Sequence, residues 1–403
     1  SNSDLTSAPD SLDPRLVDVD WDQVFDKISQ TRKRNVIGDM FGPSAASGSA
    51  HRWGMAVATG NACSESLRCL SAISCRAKPG KKRLDRIDID RELRSFLKRI
   101  GEARQVTPVD AAMSVVWAAA LPYLVDRIER GTWIELLSCL LELHDSVLEQ
   151  GDHSSPQDLI VGGEMGLTLA TCLKPVAACK AIRKSSAKAV ARWCEADTES
   201  VSRAIEGSVH SRLVIASMIR SKWLLSGTAG GRAIKKTWSE TGESLATWIA
   251  AMTTHGGCHA FSPAKRADVS DDCGADGLLI QVSRFDAESL RPAIDAALGA
   301  IQTGGRLAWQ VCLPEALHHD GDARIAMLFP DWDVRRGRMH VDYGGREMRL
   351  ELFTGRAKLV SGGWETQIEI NGNPQQACAD WEEVCEYSDD DVHYLEIEQA
   401  WTG

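Results

Sequence analysis

Apolar residues recur at every third or fourth position through most of the first 260 residues of this chain, and at every second position after residue 307. The first rhythm belongs to helices that bury one face and the second to strands that do the same. Helical segments precede the strands instead of alternating with them. The pattern therefore predicts an α+β multidomain protein, a helical unit followed by an antiparallel β unit, and argues against a parallel βαβ fold.

Residues 20–28 set Trp21, Val24, Phe25 and Ile28 at helical spacing and predict a short docking helix. Residues 35–80 carry Gly, Ser, Ala and Cys with little periodicity and read as loop or extended chain over a core. Helices are expected over 90–100, from Thr107-Pro-Val-Asp110 onward, and over 133–149, 158–173, 175–195, 198–205, 210–225 and 235–252. Short polar turns between them suit antiparallel helix pairs, and no strict repeat is present. Residues 255–277 break the rhythm with Gly, Pro, Asp and two cysteines and mark a junction. A buried strand over 278–282 and a helix over 286–302 follow. Strands are expected over 307–313, 332–334, 339–343, 348–353, 364–370 and 392–401, with Asn371-Gly372 as a tight hairpin turn. The organisation is an N-terminal extension over 1–89, a helical domain over 90–260, a junction with one helix over 261–306 and a β domain over 307–403.

A chain of 403 residues is long enough for two cores. A formal net charge of -10 repels a phosphate backbone, so nucleic acid is not the expected partner despite the basic stretch from Arg76 to Arg86. No apolar run is long enough to span a bilayer. The opening Ser-Asn-Ser-Asp-Leu has neither an initiator Met nor a leader pattern and says nothing about export. The 12 cysteines include no CxxC pair; Cys139, Cys172 and Cys179 sit in apolar helical text and suit a reducing compartment, whereas Cys63, Cys69 and Cys75 lie in a small-residue segment that could support bridges.

Several constellations carry candidate chemistry. His255-Gly-Gly-Cys-His259 with Cys273 offers a mixed zinc set of His255, Cys258, His259 and Cys273, although a glycine-rich junction is the plainer reading. Gly162-Gly-Glu-Met-Gly166 puts Glu164 beside an apolar helix, where it can act as acid or base, hold His144 or His153, or simply complement a helix N-terminus. Arg203, His210, Arg212, Arg220, Lys222 and Trp223 form a cationic and aromatic hairpin suited to an acidic sugar, unless they are exposed charge. The 13 tryptophans against 4 tyrosines would stack on sugar rings or fill a core. In the β half, His340, Tyr343, Arg346, Arg349 and Glu351 surround two strands and a Gly-Gly turn. The acidic run Ser388-Asp-Asp-Asp391 has calcium-type ligands without a complete loop pattern. No cofactor fingerprint, phosphate-cradling loop or GxSxG elbow is found.

Trp248-Ile-Ala-Ala-Met-Thr-Thr-His-Gly-Gly-Cys-His-Ala-Phe-Ser262 resembles the passage from α/α toroid to β-sandwich in heparinase II/III-type polysaccharide lyases. Met348-Arg-Leu-Glu-Leu-Phe353, Ser361-Gly-Gly-Trp364, Trp381-Glu-Glu-Val-Cys-Glu-Tyr-Ser-Asp389 and His393-Tyr-Leu-Glu-Ile-Glu398 are similar to the opening strands of that sandwich. The resemblance implies a toroid-like helical domain, a β-sandwich and β-elimination of a uronic-acid-containing polysaccharide bound between them, with no cofactor required. On that reading His255 or His259 and Tyr343 transfer protons, Glu164 orients a histidine, and Arg220 neutralises the substrate carboxylate. Trp223, Arg349 and His340 would contact the sugar chain. The family carries an Asn-His pair and a toroid tyrosine; this chain has only Tyr123 in that region and no Asn between residues 62 and 370. The β part is also short for a layered domain, which suits an inactive relative or a fragment. A non-catalytic glycan-binding or scaffold protein is accordingly the alternative, and a hydrolase needing two carboxylates across a cleft is a third.

Overall fold

The structure of the protein is a computed structural model that describes residues 12–31, 69–70, 73, 88–207, 210–226, 228, 231–232, 234–254, 259–262, 290–297, 313–355, 357–389 and 392–402. Helices come first and antiparallel sheets follow, so the chain is α+β. The expected strand over 278–282 and most of the segment over 35–80 lie outside the described residues.

Helix α1 (Trp21–Thr31) buries Val24, Phe25 and Ile28, the stripe expected from its spacing, and sets Phe25 edge-on to Trp133 at 5.1 Å. Asp88 caps α2 (Ile89–Glu102) through the Arg91 N–H. Thr107 caps α3 (Pro108–Leu124) by accepting from the Asp110 N–H at 3.1 Å, with Pro108 in the first turn where no N–H is missed. Almost every side of α3 is apolar and buried, so this helix runs through the interior. Helix α4 (Arg130–Gln150) stops at Gly151, whose φ of 73° closes the last turn.

The expected single helix over 158–173 is instead a π-helical segment, Asp158–Met165, running into α5 (Gly166–Cys172). All eight π-helical residues are buried, and α3, α4, α7 (Arg183–Glu195) and α9 (Ser211–Leu225) pack around them. Glycine is needed at the seam: a Cβ on Gly166 would overlap Ser186 Oγ and lie 2.8 Å from His144 Nε2. Helices α6 (Ala177–Ala181), α8 (Thr198–Ile205) and α10 (Lys235–Ala251) complete this body, and α11 (Leu290–Ala297) packs on α10.

Strands β1 (Leu317–Asp320), β2 (Ile325–Leu328), β3 (Gly337–Asp342), β4 (Met348–Thr354) and β5 (Ala357–Trp364) form an antiparallel meander in chain order. Its two faces have different partners. Ile325, Met327, Phe329 and Trp332 join the helical core, whereas Ala326, Val341 and Tyr343 pack against Trp381, Leu395 and Ile397 from β8 (Ala377–Ser388) and β9 (His393–Trp401). The sheet is thus a middle layer between helices and a β8–β9 hairpin. Strands β6 (Glu369–Ile370) and β7 (Asn373–Pro374) meet at Asn371 and Gly372, whose φ angles of 53° and 78° fit the tight turn expected there. Residues 332–334, expected as a strand, are instead a turn that buries Trp332 and donates its indole N–H to Pro314 O at 2.8 Å.

Three charged side chains of the sheet, Arg338, Glu351 and Arg349, fasten it to the segment that ends the helical body. Buried Arg338 donates to the carbonyl oxygens of Ala251 at 3.0 Å, Thr253 at 3.3 Å and Trp332 at 3.0 Å, neutralising the C-terminal end of α10, and stacks over Phe329. Phe261, held at a φ of 56°, gives its N–H to Glu351 Oε2 at 2.9 Å and accepts from Arg349 Nη2 at 3.1 Å.

Candidate functional site

A cleft of about 660 Å³ opens where the helical body meets the sheet. Pro108, Pro156, Gln157, Arg203, Glu206, Gly207 and His210 form its helical wall, and Asp322, Ala323, Arg324, Asp342 and Gly344 form its sheet wall. Gln157 is fixed by donating to Val106 O at 2.8 Å. Arg203, near the end of α8, pairs with Asp152 at 2.8 Å and Glu206 at 3.4 Å. His210 immediately precedes α9 and accepts the Leu213 N–H on its carbonyl, so its backbone is set by the helix start. Burial lowers the His210 pKa and keeps the imidazole neutral at physiological pH.

The opposite wall is the β1–β2 turn and the end of β3. Asp320 accepts the Ala323 N–H at 2.7 Å to shape that turn and accepts the Ser202 hydroxyl at 2.6 Å, which ties it to α8. Arg324 has a φ of 53°, accepts the Tyr343 N–H on its carbonyl and pairs with Asp380 at 3.2 Å. Asp342 faces Arg349 across the β3–β4 ladder, with 3.4 Å between the charged atoms. Two guanidinium groups, three carboxylates and one neutral imidazole thus line one cleft. The carboxylates holding Arg203 and Arg324 are themselves 43% to 59% exposed, and such pairs are worth only about 0–1 kcal/mol. A ligand carboxylate can therefore displace them.

Most residues singled out in the sequence lie elsewhere. Glu164 and Arg220 form a buried ion pair between the π-helical segment and α9, instead of a histidine orienter and a substrate clamp. His144 is held by Asp145 at 3.0 Å and Ser186 at 2.9 Å, and His153 by Arg192 at 3.2 Å. Trp223 is half-buried on α9 against the helical core. His259, His340 and Arg349 do come together, around Phe261, but as a buried fastening: His259 contacts Ser211 at 3.1 Å, His340 packs on Phe261 and Phe353, and Arg349 lies over the Phe261 ring. Burial, together with Arg338 and Lys358, brings the His340 pKa down to about 3, and burial with Arg212 lowers that of His259 well below its usual value.

Tyr343 belongs to the other face of the sheet, where its hydroxyl lies 2.5 Å from His319 Nε2; burial pushes its pKa up to about 12. His255, Cys258 and Cys273 fall outside the described residues, and of the junction zinc set His259 alone lies within them. Of the acidic run near the C-terminus, Asp389 accepts from Tyr387 at 2.6 Å and from the Val392 N–H at 2.7 Å, the hydrogen bonds of a capped turn.

Arg203 and His210 carried a sequence signal, as part of a cationic hairpin. Asp322, Arg324 and Asp342 had none, because they meet the helical wall only once the β1–β2 turn is folded. No helix among the described residues is long and apolar enough to cross a membrane. No family model, curated protein or solved structure matches the chain.

Proposed function

We propose that the chain is a carbohydrate-active protein of the heparinase II/III-like kind, which binds a uronic-acid-containing polysaccharide in the cleft and cleaves it by β-elimination. On this reading the helical body is toroid-like, and the sheet with its hairpin corresponds to the β-sandwich. The observation that carries the proposal is the neutral, half-buried His210 in a cleft with Arg203 and Arg324. Elimination needs a base that is unprotonated at working pH to take the proton beside the uronate carboxylate, and a neutral imidazole is one. Negative charge then develops on that carboxylate, and a guanidinium freed from an exposed partner compensates it. The imidazolium so formed returns the proton to the leaving glycosidic oxygen, which completes bond cleavage and leaves a double bond in the product.

The test is incubation with uronic-acid polymers while following ultraviolet absorbance of the unsaturated product. His210→Ala should abolish product formation, and Arg203→Ala or Arg324→Ala should raise KM. No product from any such polymer would reject the elimination.

A non-catalytic glycan-binding role is favoured by one observation: Tyr343 lies on the opposite face of the sheet from the cleft, so no tyrosine among the described residues lines it. Asp322, Asp342 and Glu206 can accept hydrogen bonds from sugar hydroxyls without chemistry. Retained affinity for a glycan with no turnover, and loss of that affinity on Arg203→Ala, would select this reading.

A further inference from the structure

On the face of the sheet away from the helices, His319 of β1 meets Glu383 and Glu386 of β8. Their donor atoms all lie within 4.8 Å of one another. The imidazole forms the floor, with only 3% of its side chain exposed, and the carboxylates form the mouth, at 37% and 40%. Residues three apart in a regular strand point to opposite faces. Here the β8–β9 register slips between Glu383 and Cys385, which leaves Val384 without a cross-strand partner and turns Glu386 to the same side as Glu383.

We propose that His319 Nδ1, Glu383 and Glu386 bind a divalent transition cation of the zinc class. Nδ1 lies 2.8 Å from the Glu386 oxygen and 3.7 Å from that of Glu383. Tetrahedral zinc ligands at ~2.0–2.2 Å from the metal stand roughly 3.3 Å apart, so small side-chain shifts suffice. The cation takes the place of the hydrogen bond between Nδ1 and Glu386, and the neutral imidazole carries its single N–H on Nε2, where it donates to the Tyr343 hydroxyl. Imidazole in the donor set selects against calcium and magnesium, which take oxygen ligands.

The surroundings supply what a ligating histidine requires. Its second nitrogen, Nε2, is 2.5 Å from the Tyr343 hydroxyl, and the two rings stack with centroids 5.9 Å apart, which fixes the imidazole plane. The apolar seat of the hairpin is thin: among the described residues Ala326, Val341 and Tyr343 are its buried members. A cation shared by β1 and β8 would clamp the hairpin to the sheet. This site is separate from the cleft and does not rest on the lyase reading.

The test uses the full chain, stripped of metal, titrated with zinc by calorimetry and with cobalt(II) by visible absorption. One cation per chain should bind, with affinity at least tenfold weaker in His319→Gln and in Glu386→Gln, and zinc should increase hydrogen-exchange protection of β8 and β9. Glu383→Gln, at the exposed mouth, serves if either of the others fails to fold. Absence of zinc uptake by the wild type, or uptake unchanged in the folded variants, overturns the proposal. So does binding without added protection in the hairpin.

Discussion

Arg338 Nη1 donates to the carbonyl oxygen of Ala251 at 3.0 Å, joining the middle strand of the sheet to the end of α10. The same guanidinium reaches Thr253 O and Trp332 O, while burial lowers its pKa to about 10, still charged at neutral pH. Arg338→Met removes the cation and strands these carbonyls in the interior. A loss of about 3 kcal/mol is expected, read as a lower urea midpoint; an unchanged midpoint would show that the helices and sheet do not depend on this fastening.

The buried pair Glu164–Arg220 gives a second prediction. Replacing one partner leaves an uncompensated charge in the core and should cost about 3–5 kcal/mol. Glu164→Leu with Arg220→Met should recover most of that loss, because apolar replacements of a buried pair are often neutral. A double-mutant cycle in denaturant measures the recovery, and losses that simply add would contradict the pairing.

Acid should separate the layers. Burial depresses His318 to about 4 and His340 to about 3, and His259 is lowered as well. Unfolded histidine binds a proton near pH 6.5. For His318 and His340 the contribution to stability is therefore complete above about pH 6.5 and is lost as pH falls toward 4, on the order of 3 kcal/mol each, and His259 acts in the same direction. Denaturation midpoints across this range should fall with acid, and His340→Leu should flatten the slope.

Asp158 acts in the opposite sense. It is fully buried in the π-helical segment, with Arg192 3.8 Å away, and burial raises its pKa to about 6. The folded chain then holds a proton that the unfolded chain releases near pH 4, so this contribution declines as pH rises from about 4 to 6. Asp158→Asn should stabilise the protein at pH 7 by up to about 3 kcal/mol and have little effect at pH 4. Equal effects at both pH values would contradict the assignment.

Long periodic segments made the helices legible, and Thr107, Pro108 and Asn371-Gly372 marked boundaries by local chemistry alone. The π-helical segment was not legible, because a run that is apolar on all sides carries no phase and Gly162-Gly163 states no helix type. Leu317-His-His-Asp320 is a strand of only four residues, three of them polar, and its alternation appears only once His318 is against Trp248 and His319 against Tyr343. Strand β8 hid its two faces behind the bulge at Val384. Parity already separated His340 from Tyr343, since three residues apart along extended chain means opposite faces. The cleft was half visible: its helical wall carried Arg203 and His210 in one cationic hairpin, whereas its sheet wall depends on a turn whose position only tertiary packing decides.

The order in which β1 to β5 follow one another means that each strand finds its neighbour across a short loop, with little chain entropy to overcome in closing it. The meander can zip from one end to the other as it leaves the ribosome, onto helices already synthesised. The docking of that finished ribbon onto the helices joins parts distant in sequence, as Ser202 does to Asp320, so for this half of the fold the topology-limited event falls at the helix–sheet boundary and not within the sheet.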